Sequence, residues 1–336
     1  MTTATAVGSL PGTDPLAAVT EVLECFADLP YLPELPARGV GADAVGRSAG
    51  LLVDLPVELV AGQWQVAGRP GADVAAARAY AADDLAAAQA AATGYAGPFK
   101  VAVLGPVTLA ANLGQARGEV ALTDPGLRRD ITASLAEGVA GLLRDVRQRV
   151  PAAQPVLQLD EPSLPAVLAG TMPTRSGWGR LAPLDRDTAR TMLADALAAA
   201  GADEESPTVP GPIVHCCARH VPLDLLVAAG ARAVSFDLDL VGEDDLDDLG
   251  AMVEAGTTLV VGAVPTGRPV TGEQVAARVA ALWSRLGFSA DALRDTTVLT
   301  PACGLAGMSA QAARQVSAVA VQAAARLSEL GVGGPK

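Results

Sequence analysis

The chain has 336 residues, half of them hydrophobic and 3% aromatic, with a formal net charge of −13. That length suits one large domain or two smaller ones, with a sizeable core, and the acidity excludes general nucleic-acid binding, which needs a basic stripe, although a helix N-terminus could still hold an anion. No apolar run approaches a membrane span, and the opening MTTATAVGSLPGTDP has neither the basic nor the apolar region of a secretory leader, so the expected location is the cytoplasm.

In chain order, short β-type runs alternate with helical stretches, punctuated by 35 Gly and 24 Pro. TAVGSLP (5–11) predicts a first strand, with a helix over 14–28 behind it. PYLPELP (30–36) predicts a second strand, broken by prolines, and 37–70 reads as irregular. An Ala-rich helix over 72–95 precedes the strand FKVAVLGP (99–106), and a long helix over 124–149 precedes PVLQLDEP (155–162). After a loop and a helix over 187–200 come PIVHCC (212–217), ARAVSFDLD (231–239), TLVVGAVP (258–265) and TTVLTPACG (296–304), with a closing helix over 309–330. The strand cores are nearly continuous apolar runs, as buried parallel strands are. Eight β/α units predict a (β/α)8 TIM barrel, a single catalytic domain over 1–336, with 37–70 and 163–185 as insertions after strands two and four. A doubly wound open sheet is the alternative.

Chemistry in such barrels sits at the C-terminal strand ends. Here those ends carry Ser9, Glu34, Asp160-Glu161, His215-Cys216-Cys217, Asp237-Leu238-Asp239 and Cys303. Core packing does not require these groups, so they point to one shared site. Both histidines and two of the four cysteines lie in IVHCCARH (213–220). Alternate side chains of a strand share a face, so His215 and Cys217 point together and Cys216 points into packing. Zinc takes nitrogen and sulfur ligands tetrahedrally. Cys303 is the natural third ligand and Asp237 a candidate fourth, with Asp239 on the same face as its alternative. A Cys217–Cys303 disulfide and a Cys–His nucleophilic pair are competing readings; the first is disfavoured in a reducing compartment, and the second lacks an orienting third group. Cys25 reads as core packing, and His220 as a surface or loop residue.

VGSLP near the start, LGPVTL (104–109), QLDEPSLP (158–165), VHCC (214–217) and TPACGL (300–305) occur in an order that resembles the C-terminal catalytic barrel of the cobalamin-independent methionine synthase family. The resemblance covers nearly the whole chain. It implies a 5-methyltetrahydropteroyltriglutamate–homocysteine S-methyltransferase, with zinc on His215, Cys217, Asp237 and Cys303. It implies that Asp160 and Glu34 contact the homocysteine amino group and that Ser9, with its backbone, holds the carboxylate. A zinc site suits the reaction, because a free thiol of pKa about 8.5 is mostly un-ionised near pH 7 and metal binding populates the thiolate.

The departures from the family bear on the methyl donor. Asp237 stands where the family has glutamate, LPELPAR replaces its HGE-type stretch, and VGAVPTGRP (261–269) lacks the histidine that follows its seventh strand. The family's full-length members also carry an N-terminal half that these residues do not include. A folate amine must be protonated as it leaves, whereas a methyl-corrinoid needs no such proton, so both donors are open at this stage. Two other functions are weighed: a non-catalytic zinc- or sulfur-amino-acid-binding relative, and a decarboxylase-like barrel for porphyrinogen-type substrates, whose carboxylates would call on Arg38, Arg47 and Arg69.

Overall fold

The computed structural model describes residues 1–201 and 211–330. Its elements in chain order are β1 (Thr3–Ala4), α1 (Pro15–Cys25), α2 (Ala44–Leu51), β2 (Val57–Val60), β3 (Gln63–Val66), α3 (Ala72–Ala91), β4 (Gly97–Leu104), α4 (Pro106–Asn112) and α5 (Pro125–Arg149). There follow β5 (Ala153–Asp160), α6 (Leu164–Leu168), α7 (Arg186–Ala198), β6 (Ile213–Cys216), α8 (Leu223–Ala228), β7 (Ala233–Asp237), α9 (Leu246–Glu254), β8 (Thr258–Val264), α10 (Gly272–Leu286), α11 (Ala290–Thr296), β9 (Thr297–Pro301) and α12 (Ala310–Glu329). Side-chain caps fix several helix starts. Asp14, Asp43, Asp124, Asp185 and Ser309 each accept from a first-turn N–H, and Thr271 and Gln274 form a reciprocal capping box.

Seven strands form one curled parallel sheet in the order β1-β9-β8-β7-β6-β5-β4, with helices around it. The predicted second strand is not a continuous one, since Pro30 and Pro33 lack the N–H a ladder needs. Its backbone nevertheless reaches both edges of the sheet. Lys100 N–H donates to Pro30 O and Leu32 N–H to Lys100 O, while Glu34 N–H donates to Gly8 O and Leu10 N–H to Glu34 O. The first strand lies ahead of the predicted 5–11: β1 is Thr3–Ala4, and its pairing to β9 ends at Thr5, whose N–H donates to Leu299 O.

Segment 37–70, expected to be irregular, holds α2 and the hairpin β2–β3. Ala61 and Gly62 turn that hairpin with φ of 50° and 79°, the pair of positive values a type I′ turn requires. The hairpin meets segment 163–185 at Arg175, which donates to Gln63 Oε1 and Gln115 O, each at 3.0 Å.

One apolar cluster sets the inner face. Val156, Ile213, Ala233, Val260 and Val298 come from β5 to β9 and pack with Leu29. Two residues further along, on the same face, stand Gln158, His215, Ser235, Gly262 and Thr300. Each of these strands except β8, which has Gly262 there, thus steps from an apolar layer to a polar one as it nears its C-terminal end.

Candidate active site

His215 and Ser235 occupy neighbouring register positions on β6 and β7. Both are buried, and a 2.8 Å hydrogen bond joins His215 Nδ1 to Ser235 Oγ. With Nδ1 donating there, Nε2 carries the ring's lone pair. Cys217 lies just past the end of β6 and Cys303 just past β9, yet their sulfurs stand 3.5 Å apart. The two sulfurs are in hydrogen-bond contact, and all four cysteines are free. The hydrogen bond from Cys217 stabilises the Cys303 thiolate most, with help from His215, and the same contact pushes the Cys217 thiol up.

The acidic alternatives on β7 are not equivalent. The strand ends at Asp237 and a 3-10 turn, Leu238–Leu240, follows, so alternation fails beyond Asp237. Asp237 Oδ1 accepts the Asp239 N–H at 2.9 Å, and burial raises its pKa, with the Cys303 charge also contributing. Asp239 is exposed and pairs with Arg278 and, at 3.5 Å, with Arg268. Asp237 therefore keeps the place near the thiols. Among the described residues, no group of three or more His, Cys, Asp or Glu side chains stands ready-arranged to hold a metal ion.

The residues expected to hold an amino acid come together near His215. Asp160 closes β5, opposite His215 in register. Glu34 forms a bridge with Ser9. Glu34 and Asp160 line a common cavity of about 20 Å³ with Arg47, room for about one water molecule. Burial raises both carboxyl pKa values; Arg47 and Lys100 oppose this at Glu34, and His215, Gln158 and Lys100 oppose it at Asp160. Gly304 sits against Ser9, and a Cβ there would come within 2.2 Å of Ser9 Oγ. Leu305 N–H donates to Ser9 O at 2.8 Å, so the VGSLP and ACGL stretches fix each other.

The sequence reading did not single out Lys100. It is wholly buried in β4, and burial brings its pKa down to about 8 while Asp160 and Glu34 hold it up. A lone lysine inside FKVAVL was the available signal, because buried lysines need partners. Glu161, next to Asp160, has a different task. Its carboxylate accepts from Val107 N (2.9 Å), Thr108 N (2.8 Å) and Thr108 Oγ1 (2.6 Å), at the start of α4. This links the LDEP and GPVT stretches, and a Cβ on Gly105 would lie 2.2 Å from Glu161 Oε1.

Other expected placements can be stated directly. Cys216 is buried, its thiol pushed up to about 12, and Cys25 is half-buried against the core. His220 is exposed, with φ of 59°. Arg38 and Arg47 both pair with the buried Asp84, at 2.7 and 2.6 Å, and Arg69 lies exposed outside that cluster.

The model of the family described as "Cobalamin-independent synthase, Catalytic domain" matches residues 1–326. The chain belongs to this family. No curated protein matches it. Among solved structures it is similar to a B12-independent methionine synthase from Shewanella sp. W3-18-1 in complex with selenomethionine. The TM-score is 0.50 at 17% identity, over 73% of this chain and 66% of that one. That likeness is one of fold, and the chain spans about two thirds of its neighbour's length. A methyl-corrinoid donor finds no support in a family described as cobalamin-independent and is not carried further.

Proposed function

We propose that the chain is a zinc-dependent S-methyltransferase that moves a methyl group from a methyltetrahydrofolate to homocysteine, giving methionine. The observation that carries this reading is the approach of Cys217 to Cys303 beside His215, next to Asp160 and Glu34, in a member of the cobalamin-independent synthase family. The curled sheet, with both edges hydrogen-bonded to segment 30–34, is read as an eight-stranded barrel forming one catalytic unit. Segments 37–70 and 163–185 are additions on its rim. Among the described residues no helix is long and apolar enough to cross a membrane.

The donor chemistry fits zinc. Two sulfurs on one tetrahedral ion at about 2.3 Å stand about 3.8 Å apart, so the 3.5 Å seen here needs a change of a few tenths of an ångström. His215 Nε2 is the nitrogen left by the Ser235 bond and would be the nitrogen ligand, and Asp237 would supply the fourth, exchangeable one. Bound zinc would lower the pKa of the substrate thiol, so that it is a nucleophile at neutral pH.

The chain's own residues align the acceptor. Glu34 and Asp160 take the ammonium in charge-assisted hydrogen bonds, and Ser9 takes the carboxylate. The homocysteine sulfur then lies in line with the donor methyl: the S–C bond forms as the N–C bond breaks. The thiol proton has already left, and the departing amine takes up a proton. Residues 261–269, VGAVPTGRP, offer no group that titrates near neutrality, so the proton comes from elsewhere on the mouth or from water.

That missing donor favours a second reading, a relative that binds the sulfur amino acid without turnover. The porphyrinogen reading is weakened, because two of its three arginines, Arg38 and Arg47, are tied to Asp84. The test is methionine formation by the zinc-loaded chain from homocysteine with 5-methyltetrahydrofolate, as mono- and triglutamate. Turnover abolished by chelation supports methyl transfer. Homocysteine binding with no product from either donor supports the second reading.

A further inference from the structure

We infer that Lys100, acting with Gln158, is a positioning residue that sets up the cradle for the amino-acid end of the substrate. This rests on the methyl-transfer reading of the site. Lys100 Nζ donates to Val7 O at 2.7 Å, and Gln158 Nε2 donates to the same oxygen at 2.9 Å. A carbonyl oxygen has two lone pairs, so these two side chains saturate it. Gln158 Nε2 also donates to Asp160 Oδ1 at 2.7 Å. One hydrogen-bonded chain therefore runs from β4 through the backbone at Val7 to the carboxylate that ends β5.

Val7 is where this chain meets the backbone of the site. The β1–β9 ladder ends at Thr5, and the next anchor is Gly8 O, which accepts from Glu34 N–H at 3.1 Å. Between them the Val7 carbonyl is held by side chains instead of a strand. Pinning it fixes the peptide that leads into Gly8 and Ser9. Glu34 is tied to this turn through its N–H, and Asp160 through Gln158. Ser9, Glu34 and Asp160 are thus set in one frame although they come from three separate stretches of the chain.

The charge of Lys100 serves the same end. Its ammonium is wholly buried, 5.1 Å from the centroid of the Tyr31 ring. Val7 O is its one acceptor among the hydrogen bonds described. Two carboxylates in a small cavity repel each other, and a resident cation offsets that repulsion before a substrate ammonium arrives.

The experiment compares wild type, Lys100→Met and Gln158→Leu in the full zinc-loaded chain. Homocysteine binding is measured by calorimetry, methyl transfer by steady-state kinetics, and folding by circular dichroism with zinc content. The expected result is a rise of about tenfold or more in Kd and KM for homocysteine, with kcat at saturation within about threefold and zinc content unchanged. If Lys100→Met does not fold, Gln158→Leu carries the test with the same expected split. Unchanged Kd and KM in a folded variant overturn the proposal and leave the methyl-transfer reading intact. A fall in kcat alone also overturns it. Failure of the wild type to bind homocysteine overturns both.

Discussion

Glu161→Gln sets two opposing effects on one carboxyl group against each other. Burial raises its pKa from an ordinary 4.5 to about 7, although three hydrogen bonds at the start of α4 favour the charged form. The folded chain therefore holds this proton more tightly than the unfolded chain does. The resulting stability is fully present below about pH 4.5 and is lost as pH rises through about 7. The rise corresponds to about 3 kcal/mol. Glutamine keeps the shape and does not titrate, but its NH₂ faces at least one N–H donor, at a cost of about 1–3 kcal/mol. At pH 5 the variant should be less stable by about 2 kcal/mol; at pH 8 the relieved burial of charge offsets that loss. Unfolding entropy of about 2.1 cal/mol/K per residue makes 1 °C worth about 0.7 kcal/mol in this chain, so the deficit at pH 5 is about 3 °C. Thermal unfolding followed by circular dichroism at both pH values measures it. A deficit larger at pH 8 than at pH 5 would refute the reasoning, because the hydrogen bonds to the charged form would then outweigh burial.

Gly304→Ala places a Cβ 2.2 Å from Ser9 Oγ, well inside contact distance. The hydroxyl can rotate away, so the melting temperature should move by less than about 2 °C while homocysteine Kd rises about tenfold, read by calorimetry. Cys303→Ser should weaken zinc retention about 100-fold in competition with a chelator, since it replaces a thiolate ligand. Asp237→Asn should weaken it by about tenfold and Asp239→Asn should leave it unchanged, because the Asp239 side chain is engaged by Arg278 and Arg268. Equal effects at the two positions would contradict the assignment of Asp237.

Much of this fold was legible because β4, β5, β7, β8 and β9 are apolar runs buried on both faces. What escaped had physical causes. Prolines reduce the second strand to bridges, and Val7 turns its carbonyl inward to Lys100 and Gln158, which keeps the first strand from running on through 5–11. The hairpin in VELVAGQWQV was signalled by Ala61-Gly62 between alternating residues, and went unread because its surroundings look irregular. At the site, strand alternation pointed to His215 and Cys217 as one face, but β6 ends at Cys216, and Cys217 meets Cys303 from beyond the strand. Alternation could not separate Asp237 from Asp239, since that choice depends on where β7 ends. Lys100 was hidden for the opposite reason: its partner is a backbone carbonyl 93 residues away, which no local pattern reveals.

The central claim is that this chain holds zinc on two cysteines and presents it with a substrate thiol. X-ray absorption at the zinc edge tests it most directly, on the purified chain before and after homocysteine is added. Two sulfurs with nitrogen and oxygen are expected around the metal at first, and three sulfurs at about 2.3 Å once homocysteine is bound. No bound zinc, or a sulfur count that homocysteine leaves unchanged, would contradict it.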